Sequence, residues 1–288
     1  MPKSKGRKPK QVKGQVRRSG RAERYAPGQL GVPPKLIANM LAAAPPDQLV
    51  EMLPPLLWLH YSTGAQANLC VSAAMTLRST YALLGIEARP TPVDLVIGHR
   101  AGGLLARYGG EHRWEGQNYH GHCVLWLPGS GRWIDTTVMQ YPEVRASMPL
   151  PVVGRSAGTF GGNAAARTAL AQGRLIAGTH MTVPREELIL DYTVVADEDD
   201  TFLHGIHALA EDTERRFRDS GANLAAACLE WWRKPGIVER VRTAPYPQLH
   251  ALLDAIGGAP IHVDADETWL FEIAPGRHVR LDELLPAS

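Results

Sequence analysis

Residues 119–137 read YHGHCVLWLPGSGRWIDTT, a short apolar hairpin with a histidine at one end and an aspartate near the other. An apolar core requires neither. A two-residue Gly-Ser turn closing Pro128 against Gly131 is favoured hairpin chemistry, and in that register Leu127 pairs with Arg132. Counting back sets Val124 opposite Asp135 and His122 opposite Thr137. Because side chains alternate along a strand, His122, Val124, Trp126, Trp133, Asp135 and Thr137 share one face. His122 and Asp135 are then diagonal neighbours, close enough for long side chains to meet. Asp135 can accept a hydrogen bond from one ring nitrogen of His122, set its tautomer and leave the other nitrogen free to act.

An oriented imidazole needs a group to act on, and Cys70 is the candidate. The spacing Cys70, Ala73/Ala74, Leu77, Tyr81, Leu84 predicts a helix that starts at the cysteine and stops at Gly85. Unpaired N–H groups and the dipole at a helix start favour a thiolate there, and a neighbouring imidazolium lowers the thiol pKa further. The same N–H groups, with Gln66 or Asn68 just upstream, are placed to donate to the oxyanion of an acyl-transfer intermediate. His120 shares the strand face of His122 and reads as a rim residue that touches substrate. Gln140, three residues beyond Thr137, lines the same cleft.

Each of these residues also has a structural reading. Cysteine is among the most commonly buried residue types, and Cys70 alone would pass for core. It is the combination of the three, in this order and register, that points to nucleophilic catalysis. Cys123 is expected on the opposite face and Cys228 on an amphipathic helix, both as core. Cys70, His120 and His122 could supply three zinc ligands, but no Cys-x-x-Cys or His-Glu-x-x-His spacing is present, and Asp135 is engaged in orienting a histidine. No metal and no cofactor is expected.

The runs NLCVSAAMTLRSTYALLGIEARP and GHCVLWLPGSGRWIDTT resemble the transglutaminase-like branch of the papain-like cysteine enzyme superfamily. That branch places a cysteine on a helix, exits into a strand, and follows with a Gly-His strand and an Asp strand. The resemblance covers residues 60–140 and implies Cys70 as nucleophile, His122 as general base and Asp135 as the orienting group. Arylamine N-acetyltransferases share this topology and triad order. The chain departs from both patterns: Cys123 follows His122 where many relatives have Ala-Trp, Thr-Thr follows Asp135 where many have Pro-Thr, and Ala-Asn-Leu precedes the cysteine where the acetyltransferases have Arg-Gly-Gly.

The surrounding chain must hold these residues in place. Its 288 residues and 44% hydrophobic content allow a sizeable core. Proline pairs suggest short N-terminal helices, entered at Pro33-Pro34 and broken at residues 45 and 54, serving as a lid or flank. A strand interrupted early is expected over 86–97, a loop over 99–118, and loop again from the hairpin to about 162. Helical composition over 164–178 and a strand near 187–195 come next, then an acidic run at 196–200. A helix over about 203–233 with a break near Gly221, a second helix over 247–256 and a last strand over 268–273 complete the prediction. The glycine-rich stretch 154–162 lacks the Gly-Lys-Ser/Thr ending of a phosphate loop. The fold class expected is α+β, a papain-like or transglutaminase-like core over 28–195, preceded by a disordered basic tail (1–27) and followed by a mainly helical region (196–288).

Residues 1–25 carry ten Lys or Arg against one Glu, although the whole chain is only +2. Such a tail favours weak contact with nucleic acid or another polyanion. No eighteen-residue apolar run suggests a membrane span, and three cysteines form no even-numbered disulfide framework, so a cytoplasmic setting is expected. The expected function is an intracellular thiol enzyme acting on a peptide, amide or acyl substrate through a thioester. Two alternatives remain: a catalytically silent binding module that uses its basic tail, and a coenzyme A-dependent N-acetyltransferase.

Overall fold

A computed structural model describes residues 34–61, 69–147, 151–155, 164–196, 201–264 and 268–284. The basic tail, Gln66, Asn68, most of the glycine-rich stretch and all but the first residue of the acidic run lie outside these segments. In chain order the helices are α1 (Pro34–Ala43), α2 (Pro46–Tyr61), α3 (Cys70–Leu83), α4 (Pro142–Ser147), α5 (Ala164–Ala171), α6 (Thr201–His207), α7 (Glu211–Trp232), α8 (Val238–Val241) and α9 (Pro247–Ile256). The strands are β1 (Arg89–His99), β2 (Leu104–Tyr108), β3 (Arg113–Glu115), β4 (Asn118–His120), β5 (His122–Leu127), β6 (Arg132–Asp135), β7 (Val152–Arg155), β8 (His180–Arg185), β9 (Leu188–Val194), β10 (Ile261–Val263), β11 (Trp269–Ala274) and β12 (Arg277–Val279). Every strand pairing is antiparallel. Helices packed on antiparallel sheet make this an α+β fold.

The main sheet runs β7-β6-β5-β1-β9-β8, with β2 also paired to β1. One face, through Cys123, Leu125, Leu127 and Ile134, packs on α1, α2, α3 and α7 in a single large core that extends to Phe271 and Leu281 near the C-terminus. The other face gathers Val93, Leu95, Val124, Trp126, Trp133 and Tyr192 into a second core beneath the 3-10 turn Val138–Gln140 and α4. The hairpin thus has apolar side chains on both faces, and every residue of β5 and β6 is buried. Period-two alternation places them, since residues 122, 124 and 126 face one core and 123, 125 and 127 the other.

Helix α3 starts and stops where its residues dictate. Gly85 takes φ +74°, its N–H bonds to the Ala82 carbonyl and the Ile86 N–H to that of Tyr81, the reciprocal pattern of a glycine-terminated helix. Several expectations give way to tertiary packing. Pro54 and Pro55 do not break α2: both are buried among Leu53, Leu56 and Leu57, and that burial offsets the missing hydrogen bonds. The N-terminal helices therefore belong to the main core instead of a lid. The helical break comes at residues 208–210, not at Gly221. There α7 crosses α3 so closely that a Cβ on Gly221 would lie 2.5 Å from Ser79 Cβ.

β1 is not interrupted by its prolines. Pro90 and Pro92 lie where β1 pairs with β5, and its ladder to β9 begins only at Val93, so their missing donors cost little. The expected loop over 99–118 holds β2, β3 and the start of β4. The region between the hairpin and residue 162 holds α4 and β7, and β8 precedes the strand foreseen near 187–195. β11 is the centre of a three-stranded meander and not a last strand. Among the described residues no helix is long and apolar enough to cross a membrane.

Candidate active site

β5 and β6 meet in the register Leu127↔Arg132, Trp126↔Trp133, Leu125↔Ile134. The connection is a four-residue turn, Pro128 to Gly131, with Gly131 at φ +66° and its N–H on the Leu127 carbonyl at 2.9 Å. This differs from a two-residue Gly-Ser turn, yet an even number of loop residues preserves the pairing. His122 and Asp135 consequently share a face. His122 Nε2 lies 2.8 Å from Asp135 Oδ2, with both side chains about 1% exposed.

Asp135 is held from several directions. Tyr192 donates its hydroxyl to Oδ2 at 3.1 Å, and Thr137 donates its backbone N–H (2.9 Å) and its hydroxyl (3.1 Å) to Oδ1. Burial works against the carboxylate, but the His122 charge and these hydrogen bonds hold its pKa below the ordinary value. Burial alone would likewise lower the His122 pKa. Asp135, aided by Cys70, outweighs it and raises the imidazole to about 10.

Cys70 is the first residue of α3, preceded by Leu69, which provides no side-chain cap. Among the described residues no side chain caps the early N–H groups of the helix, and their partial positive charge favours a negative sulfur. The Cys70 thiol is held well below its ordinary pKa, first by the neighbouring Cys123 thiol, then, against the cost of burial, by the adjacent His122 and its charge and by the Cys123 backbone. Cys123 itself is pushed well up by burial and by Cys70, so it keeps its proton and donates it. The nitrogen left for Cys70 is His122 Nδ1. It is buried and makes no hydrogen bond of ordinary geometry among the described residues, while its charge and that of Cys70 raise and lower each other's pKa. A catalytic contact that is loose without substrate is common and tightens when the substrate is bound.

Gly121, just before His122, leaves no room for a side chain. Its φ is +140°, and a Cβ there would lie 2.7 Å from His112 Nδ1 and 3.0 Å from the Tyr119 ring. Its carbonyl is 3.9 Å from the Cys70 sulfur. The same residue separates β4 from β5, which decides the fate of His120. His120 belongs to the β3–β4 hairpin, is exposed, and pairs with Glu115 at 3.0 Å. Tyr119 points inward in its place, with its hydroxyl 2.5 Å from His112, which in turn contacts Asp94 at 2.7 Å. Gln140 ends the 3-10 turn half-buried, its carbonyl accepting from Arg145 at 3.3 Å. His120 is thus engaged by Glu115, whereas Gln140 directly precedes Tyr141, whose ring contacts His122.

Sequence reasoning missed Cys123, Tyr192 and Tyr141, whose ring stands edge-on to His122 at 5.5 Å. The sign for Cys123 was available: the face opposite His122 is the face that receives the cysteine helix. Tyr192 left none, because β9 lies three strands along the sheet from β6. A crevice too tight for water, lined by Cys70, Ala74, Cys123, Asp135 and Thr137, borders the sulfur. A roomier cleft of about 600 Å³, lined by Arg78, Arg89, Leu175, Phe202 and His207, shares no residue with the triad.

No family model, curated protein or solved structure matches the chain. A cysteine at a helix start, a histidine beside it and a buried carboxylate behind the histidine can generate a thiolate, hold a proton ready for a leaving group and keep the imidazole in one orientation.

Proposed function

We propose that the chain is a thiol enzyme that cleaves or transfers an amide or acyl group through a thioester on Cys70. The observation that carries this reading is the buried His122–Asp135 pair at 2.8 Å, beside a thiol held well below its ordinary pKa. The Cys70 thiolate attacks the substrate carbonyl and forms the carbon–sulfur bond. His122 gives its proton to the leaving amine as the amide bond breaks. Water or an acceptor amine then attacks the thioester, His122 takes a proton from it, and Cys70 leaves as thiolate. Asp135 keeps the imidazole oriented throughout. The N–H groups at the start of α3 donate to the developing oxyanion.

The order Cys, His, Asp on a helix and two adjacent antiparallel strands supports a papain-like core, in the manner of the transglutaminase-like branch. The test is acyl trapping. Incubation with an activated acetyl ester near neutral pH, followed by intact-mass and peptide mapping, should yield an acetyl adduct on Cys70 that is absent in Cys70→Ala and slow in His122→Ala. Absence of any adduct on Cys70, or equal labelling of Cys123 and Cys228, would refute the reading.

A further inference from the structure

The C-terminal meander carries a second chemical cluster, separate from the triad. In the sheet β10-β11-β12, Phe271 and Val279 are buried against the main core. Alternation therefore turns Glu272 and His278 to the outer face, where they pair directly across β11 and β12. His262, opposite Leu270 on β10, joins them on that face from the other side of β11. One ligand atom from each of His262, Glu272 and His278 lies within 4.8 Å of the others.

The geometry is organised beyond a simple ion pair. His262 Nε2 is 3.2 Å from Glu272 Oε2, and the two imidazole rings stand edge to face with centroids 4.8 Å apart. The Gly276 N–H holds Glu272 by its other oxygen, Oε1, at 2.9 Å. The carboxylate is thus anchored through one oxygen and turned towards His262 with the other, as supporting hydrogen bonds anchor metal ligands elsewhere. Metal–ligand bonds of about 2.0–2.2 Å in a tetrahedron put donor atoms about 3.3 Å apart. The His262–Glu272 separation already fits one such edge, and side-chain rotation of His278 closes the others. Two imidazoles and one carboxylate are the donor set of late first-row divalent ions, whereas calcium and magnesium require shells of oxygen.

We propose that His262, Glu272 and His278 form a His2Glu site for a late divalent transition metal, zinc above all, with its remaining position open to solvent. Bound there, the ion ties β10 and β12 to β11 through side chains on the face away from the core. The inference does not depend on the function proposed for Cys70.

Calorimetric zinc titration of the chelator-treated full-length protein tests it, with cobalt absorption as a report on ligand type. The wild type is expected to take up a single equivalent at this site, with no calcium binding and no thiolate-to-cobalt charge-transfer band. His278→Ala and His262→Ala should weaken binding by at least about 100-fold, since even supporting residues are worth 10–100-fold. Glu272→Gln, which preserves shape, should weaken it as well in a protein of unchanged circular dichroism. Unchanged zinc affinity in both histidine variants, a thiolate band, or no zinc uptake by the wild type would overturn the proposal.

Discussion

The Tyr192 hydroxyl donates to Asp135 Oδ2, the same oxygen that meets His122 Nε2. A strand three positions along the sheet thus fixes the carboxylate that fixes the histidine. A hydrogen bond to a charged group is worth roughly 1.5–3 kcal/mol, and because Thr137 still holds the carboxylate, Tyr192→Phe should slow acylation of Cys70 by about tenfold. Asp135→Asn removes the charge that supports the imidazolium and should slow it by a factor on the order of 10² or more. Stopped-flow acylation of the two variants checks the ranking; equal effects would contradict it.

Cys123 is the largest influence lowering the Cys70 pKa. Hydrogen bonds to charged groups are worth roughly 1.5–3 kcal/mol, which corresponds to about one to two pKa units. Cys123→Ala should therefore move the pH profile of Cys70 alkylation upward by about that much. Cys123→Ser, which keeps a donor, should move it less. If both variants match the wild type, Cys123 is packing only.

The hairpin is tied to α2 by a buried ion pair that sequence reading did not anticipate. Glu51 is fully buried and accepts from the Arg132 guanidinium and the Tyr246 hydroxyl. Leaving one such charge alone in the interior costs about 3–5 kcal/mol. Glu51→Ala and Arg132→Ala should each lose stability in that range in urea unfolding, whereas the paired replacement Glu51→Leu with Arg132→Met should recover much of it. A loss below about 1 kcal/mol in either single variant would show that the pair is solvated.

What could be read from the residues alone follows a physical division. Periodicity and glycine chemistry located α3 and its stop at Gly85, and hairpin counting found the Leu127↔Arg132 register that puts His122 and Asp135 on one face. The prolines of α2 and β1 misled, because whether a missing N–H matters depends on burial and on which neighbouring strand is paired, and neither is local. His120 does not share a strand with His122: Gly121, at positive φ and with no room for a side chain beside His112 and Tyr119, separates β4 from β5. Tyr192, Glu51 and the histidines of the meander meet their partners through tertiary contacts or a sheet that was not foreseen.

The titrations within the triad oppose each other in a measurable way. His122 is raised from 6.5 to about 10, so its contribution to stability is complete below pH 6.5 and is lost as the pH rises towards 10. Asp135 is lowered, so its contribution is present above its ordinary 3.8 and is lost as the pH falls below that. Cys70, lowered from 9.0, gains stability as the pH rises to 9 and offsets His122 over that range. Cys70→Ser should then lose stability between pH 6.5 and 9 more steeply than the wild type, by denaturant midpoint. Parallel profiles would mean that Cys70 carries no charge there.

The central claim is that Cys70 and His122 form a thiolate–imidazolium pair, and the most direct measurement is the pH dependence of alkylation at each of the three cysteines, followed by mass spectrometry in the native protein and in His122→Ala. Cys70 alone should react well below the reference thiol pKa of about 8.5 and lose that reactivity without His122. If Cys70 instead titrates like Cys123 and Cys228, or is indifferent to His122, the pair does not exist and the catalytic account falls with it.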